Sequence, residues 1–193
     1  MRLRRELQRL NAMETADCFA LLGLPRRFAL DGAQLDGAYR ERARHSHPDR
    51  HRLADAAAQA AALGAATALN DAYHTLKDPG RRAAHLLRLR GIDSERARPA
   101  PTLLMQQMQW HEALQAARAD GDAAALRALG AELRARLYAC TDRLATALDT
   151  ATDPAVDPTV DMAGTDAGAC LLEFGALRRL LELLAAADEE VDA

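Results

Sequence analysis

β-Branched aliphatic residues are almost missing from this chain of 193 residues: it has three valines and one isoleucine, and Phe, Trp and Tyr together make up 4%. Strands draw on those residue types, so a β-rich or α/β fold is excluded. Lysine is equally scarce, with Lys77 alone beside 24 arginines. A GC-biased coding sequence accounts for that skew and for the alanine excess. Cysteine occurs three times, at Cys18, Cys140 and Cys170. An odd, widely spaced set is neither a disulfide framework nor a zinc box, and it fits a reducing cytoplasm. No stretch approaches the roughly 20 apolar residues of a membrane span. Residues 1–10 are basic but lack the continuous apolar run of a signal peptide. Leu3, Leu7 and Leu10 have the spacing of a short amphipathic helix. Residues 1–12 read as an extension, or as the product of an upstream start codon with Met13 the true beginning.

What is abundant is helix former: 45 alanines and 31 leucines, together 76 of 193 residues. The expected fold is all-α. The formal net charge of -3 hides a division. Residues 1–90 carry 16 basic and 10 acidic residues, a balance of +6, and residues 91–193 carry 9 and 18, a balance of -9. Two units with different surfaces follow from that asymmetry.

The pattern predicts a short helix over 17–22, stopped by Gly23-Leu24-Pro25. A second opens at Asp31 or Gly32, with Leu35, Ala38, Tyr39 and Arg42 on one face, and ends by Ser46–His47 because Pro48 disfavours helix in the residue before it. A long helix over 53–76 is closed by Asp78-Pro79-Gly80, and a short one over 81–90 stops at Gly91. Residues 92–101, with two prolines and little apolar content, read as a linker. Three helices follow, over 102–119 with Thr102 as N-cap, 122–148 and 166–187. The middle one carries Leu126, Leu129, Leu133, Leu137, Cys140, Leu144 and Leu148, the spacing of a bundle seam. Residues 152–165, with Pro154, Pro158, Gly164 and several aspartates, read as a loop.

The sharpest motif is His47-Pro48-Asp49, set between two helices. Arg40, Arg42 and Arg44 precede it and Arg50 and Arg52 follow. Pro48 fixes one φ, so His47 and Asp49 project from a stiff turn and lose less entropy on binding. Asp49 is suited to pair with an arginine on a partner, and the arginine face to dock on an acidic surface. Tyr39 lies eight residues before His47, while Asn70, Ala72, Tyr73, Leu76 and Asp78-Pro79 end the next helix. Over residues 16–80 this resembles the J-domain, a helical hairpin with an HPD loop. The resemblance implies docking on a DnaK-class chaperone through His47, Pro48, Asp49, Tyr39, Arg40, Arg42 and Arg44, and acceleration of its ATP hydrolysis without catalysis by the J-protein itself. Tyr39 and Tyr73 also serve as packing between the two helices.

Phe19, Leu21-Leu22-Gly23-Leu24-Pro25, then Arg82-Ala83, Leu86, Leu87, Leu89 and Gly91, then Leu104-Met105 with Met108, are similar to the HscB family, J-proteins of iron–sulfur cluster assembly. The resemblance implies a C-terminal three-helix bundle that binds an IscU-type scaffold protein and presents it to an HscA-type chaperone. Its scaffold-binding positions fall on Leu104, Met105, Met108, Glu112 and Phe174. A helical wheel reaches part of this independently: Leu103, Trp110 and Leu114 fall within about 40° and face a core, whereas Leu104, Met105 and Met108 cluster opposite. One helix of a three-helix bundle does not bury both faces, so the second patch is exposed or covered by a partner. Phe174 also borders the core stripe of its own helix. Where the family's binding face has several glutamates, this chain has Gln106, Gln109, Ala113 and Ala116, and keeps Glu112.

Other readings are weaker. His45, His47 and His51 do not form a tetrahedral metal set, because i and i+2 point apart and Pro48 interrupts the geometry. The paired N-terminal cysteines of some eukaryotic relatives are absent, and Cys140 and Cys170 read as core. Nucleic-acid binding by the arginine-bearing helix is opposed by the acidic second half. No phosphate loop, activated nucleophile or paired carboxylates support an enzyme. The expectation is a cytoplasmic co-chaperone without cofactor or metal, binding neither nucleic acid nor membrane. Its parts are an extension (1–16), a J-domain (17–91), a linker (92–101) and a scaffold-binding bundle (102–193). The nearest alternative is a J-domain co-chaperone whose bundle holds a different client.

Overall fold

A computed structural model describes residues 17–45, 56–92, 94, 98–149 and 160–191. The regular elements among them are seven α-helices, and no strand occurs among the described residues. They are α1 (Cys18–Leu22), α2 (Gly32–His45), α3 (Ala56–Lys77), α4 (Pro79–Leu89), α5 (Pro101–Ala119), α6 (Ala123–Asp149) and α7 (Val160–Val191). The chain forms two compact units, Met1–His85 and Leu86–Ala193, which divide within α4.

In the first unit, Asp17 caps α1 by accepting the amides of Phe19 and Ala20 at 2.9 and 3.3 Å, and Gly23 ends the helix in the left-handed region at φ 68°. Asp31 caps α2 by accepting the Ala33 amide at 3.0 Å. Phe19, Leu22, Leu24, Phe28, Leu35, Leu69, Ala72 and Leu76 are buried, each of the larger ones contributing about 1.5–3 kcal/mol. His85 is buried with them. Its Nε2 accepts the Cys18 amide at 3.1 Å, which takes the place of an intrahelical partner for an orphan amide at the start of α1.

Asp78-Pro79 starts a helix as well as ending one. Asp78 accepts the Arg81 amide at 2.9 Å, and Pro79 occupies the first position of α4, where its missing N–H costs nothing. A single residue therefore separates α3 from α4. Arg82 secures the joint, donating to the carbonyls of Leu76 at 2.7 Å and Phe28 at 2.6 Å with its guanidinium over the Phe28 ring. The same logic applies at α5, where Pro101 is first in the helix and Ala100, not Thr102, stands at the N-cap.

The second unit packs α5, α6 and α7 side by side. Leu126, Leu129, Leu133, Cys140, Leu144 and Leu148 of α6 are buried, and Leu137 is half-buried. From α7 come Ala167, Cys170, Phe174, Leu177, Leu180 and Leu184. Cys140 Sγ donates to the Cys170 carbonyl at 3.0 Å. The adjoining Cys170 side chain and burial both push the Cys140 thiol up, so it stays protonated in the core. The helix α7 begins at Val160, six residues before the predicted Asp166, because nothing after Pro158 interrupts helical backbone. Among the described residues no helix is long and apolar enough to cross a membrane.

Candidate interaction surfaces

The first surface lies on the hairpin of α2 and α3. Leu35 turns into the core, and Tyr39, one turn later, is half-buried against α3. The Tyr39 and Tyr73 rings stack with centroids 4.4 Å apart and planes at 29°. The Tyr39 hydroxyl donates to Asn70 Oδ1 at 2.6 Å, and the Tyr73 hydroxyl donates to Asp36 Oδ1 at 2.8 Å. Lys77 Nζ donates to the Tyr73 hydroxyl at 2.5 Å and stands 3.9 Å from Asp36. The Tyr73 hydroxyl, with the Asp36 carboxylate behind it, raises the Lys77 pKa above its ordinary value.

The three arginines expected on one face separate. Arg40 and Arg44 line an open groove floored by Gly37, and Arg40 Nε also donates to the Asp36 carbonyl at 3.2 Å. Arg42 turns away to lie over Gly23, where a Cβ would stand 2.5 Å from its Nη2. Residues two apart on a helix are about 200° apart around its axis, which places Arg42 across from its neighbours. His47, Pro48 and Asp49 lie outside the described residues, as does His51.

The second surface is on α5. Trp110 and Leu114 are each 3% exposed, facing the core, and Leu103 is half-buried. The other side of the helix is open: Leu104 is 47% exposed, Met105 64% and Met108 63%. Glu112 continues that side one turn on, exposed, and Gln106 donates to Gln109 at 3.2 Å beside it. Phe174 is inside the bundle at 4% exposure, with the Arg178 guanidinium 6.0 Å from its ring centroid. It belongs to the core of α7, not to the exposed patch. Among the described residues no group of three or more His, Cys, Asp or Glu is placed to hold a metal ion.

Comparison with known proteins fits both halves. Residues 17–85 match the model of the DnaJ domain, and residues 99–163 match that of the HSCB C-terminal oligomerisation domain. The co-chaperone protein HscB homolog of Burkholderia multivorans is 46% identical over 134 residues, 68% of this chain and 77% of that protein. That of Chromobacterium violaceum is 44% identical over 135 residues, 68% and 76%. This chain belongs to the HscB family. The HscB structure from Vibrio cholerae superposes with a TM-score of 0.77 at 29% identity, covering 91% of this chain and 99% of the other. Human HscB shares the fold, with a TM-score of 0.71 at 24% identity over 88% and 82% of the two chains.

Membership in the HscB family makes this chain a J-domain co-chaperone and not an enzyme. Four residues that bind the hairpin together escaped the motif reading as an interacting set: Asp36, Asn70, Tyr73 and Lys77. The available signal was their helical phase. Asp36 and Tyr39 are three apart on α2, and Asn70, Tyr73 and Lys77 are three and four apart on α3, so each trio or pair shares one face.

Proposed function

We propose that this chain stimulates the ATPase of a DnaK/HscA-type chaperone and delivers an IscU-type scaffold to it during cytoplasmic iron–sulfur cluster assembly. The observation that carries the reading is the apolar side of α5. Leu104, Met105 and Met108 stand exposed in a family whose members are co-chaperones, while Trp110 and Leu114 occupy the core side. Two unbranched methionines adapt their shape to a partner at low cost, and removing all three side chains from water upon docking is favourable.

The division of labour follows from the chemistry of the two surfaces. Arg40 and Arg44 bring two permanent charges with planar donor forks to one groove, suited to carboxylates on the chaperone. His47, Pro48 and Asp49 are the stimulating residues, with Asp49 accepting from a chaperone arginine. On α5 the apolar contact supplies the scaffold affinity and Glu112 a single charge at its edge. Phe174 lies in the bundle core and adds nothing to that surface. With the chaperone and scaffold together, adding this chain should raise ATP hydrolysis by more than the sum of the rises that chain and scaffold give separately. A merely additive result contradicts delivery.

A further inference from the structure

Methionine is used sparingly in this chain, five times against 31 leucines. The buried side chains of the described bundle are leucine, alanine, cysteine, tryptophan and phenylalanine, without a methionine. Both methionines whose side chains are described, Met105 and Met108, lie instead on the open side of α5 and are largely in water. They are three residues apart on the helix and so share one face, a turn from each other.

The other soft targets for an oxidant are withdrawn. Cys18, Cys140 and Cys170 are all buried free thiols, and the Trp110 indole is buried as well. Oxidation of sulfur follows its exposure, and a thiol must also ionise before it reacts well, whereas a thioether needs no deprotonation. Among the described residues, a peroxide acting on the folded chain therefore meets Met105 and Met108 first. The sulfur lone pair attacks one peroxide oxygen, the O–O bond breaks and an S–O bond forms. Sulfur is oxidised by two electrons. The leaving hydroxide takes the proton that the transferred oxygen gives up, and one water is released.

We propose that Met105 and Met108 make the open side of α5 a reversible oxidation switch, in which peroxide turns both thioethers into sulfoxides and closes the surface to an apolar partner. The inference rests on the reading that this surface binds a scaffold protein. A sulfoxide is polar, and its oxygen loses its water when pressed against an apolar partner that offers no hydrogen bond. In the free chain the same oxygen stays solvated, so the bundle keeps its fold. Reduction reopens the surface: the oxygen leaves as water while two thiols of a reductant join as a disulfide.

The test treats the unaltered chain and the double variant Met105→Leu with Met108→Leu with hydrogen peroxide, removes the peroxide, and titrates each with an IscU-type scaffold in a calorimeter. Leucine keeps the side apolar at nearly the same volume but has no sulfur. Mass spectrometry of peptides locates the added oxygens. Binding by the oxidised unaltered chain should be about tenfold weaker, the effect of burying unpaired polar oxygens. Met105 and Met108 should each carry one oxygen, with the melting temperature unchanged. Methionine sulfoxide reductases of both stereospecificities, supplied with a dithiol, should restore the affinity. The double variant should bind equally before and after peroxide. It keeps Met1, Met13 and Met162, so a loss that arises elsewhere would persist in it and overturn the proposal. Undiminished binding by a chain oxidised at both positions would overturn it too, as would oxidation that spares them or a loss the reductases do not reverse. Those outcomes leave the scaffold reading standing. If the unaltered chain binds no scaffold before oxidation, that reading falls and the proposal with it.

Discussion

The Trp110 indole nitrogen donates to the Glu132 carboxylate at 3.1 Å, across the interface of α5 and α6. Arg136 lies 3.4 Å from the same carboxylate and 5.1 Å from the indole centroid, so ring, anion and cation form one assembly. The indole is otherwise buried. Glu132→Ala leaves its N–H without this acceptor and should cost about 1 kcal/mol. Arg136→Ala, at an exposed pair, should cost about half that or less. Urea denaturation followed by the fluorescence of Trp110, the one tryptophan, measures both.

Gly130 of α6 lies against Leu184 of α7. A Cβ built on it would lie 3.3 Å from Leu184 Cδ2 and 3.2 Å from the Arg134 guanidinium. Arg134 moves easily, but Leu184 is buried and does not. Gly130→Val should therefore wedge the helices and destabilise the bundle by about 1–3 kcal/mol. Loss of thermal stability in the 86–193 unit with a preserved first unit is the expected outcome.

Acid should unfasten the first unit through Asp17. Burial alone would raise its pKa, but the bond from Arg26 and the amides of Ala20 and Phe19 outweigh it and hold the carboxyl below its ordinary 3.8. A depressed carboxyl stabilises the fold above its unfolded pKa, and the contribution disappears as pH falls through the folded value. Stability of the first unit should decline as pH drops below about 4. Asp17→Asn should flatten that part of the profile, as read by denaturant melts between neutral and acid pH.

Most of the helical plan was legible because its signals are local. The spacing of Leu126 through Leu148 and the split of α5 into a Trp110 side and a Met105 side depend on helical period alone. The misplaced starts of α4 and α5 share one cause. Pro79 and Pro101 were read as boundaries or linker, yet a proline fits the first turn of a helix as well as the end of one, and only the capping bonds of Asp78 decide which. Arg40, Arg42 and Arg44 looked like one face because they are close in sequence; the 100° step separates Arg42. Phe174 could not be assigned from α7 alone, because the stripe it borders is defined by the helices packed against it. The Asp36–Tyr73 bond joins positions 37 apart and had no local signal.

The exposed side of α5 should bind without supporting the fold. Leu104→Ala, Met105→Ala and Met108→Ala combined should leave the melting temperature close to that of the unaltered chain, since all three side chains are largely in water. Calorimetric titration with an IscU-type scaffold should show roughly tenfold weaker binding or worse. Phe174→Ala should do the reverse, destabilising the bundle by about 3–5 kcal/mol.

The most direct test of the central claim is steady-state ATP hydrolysis by an HscA-type chaperone with and without this chain. The unaltered chain should accelerate turnover, and His47→Gln should abolish the acceleration while leaving the helical content intact. No acceleration by the unaltered chain, or full acceleration by His47→Gln, would contradict the account.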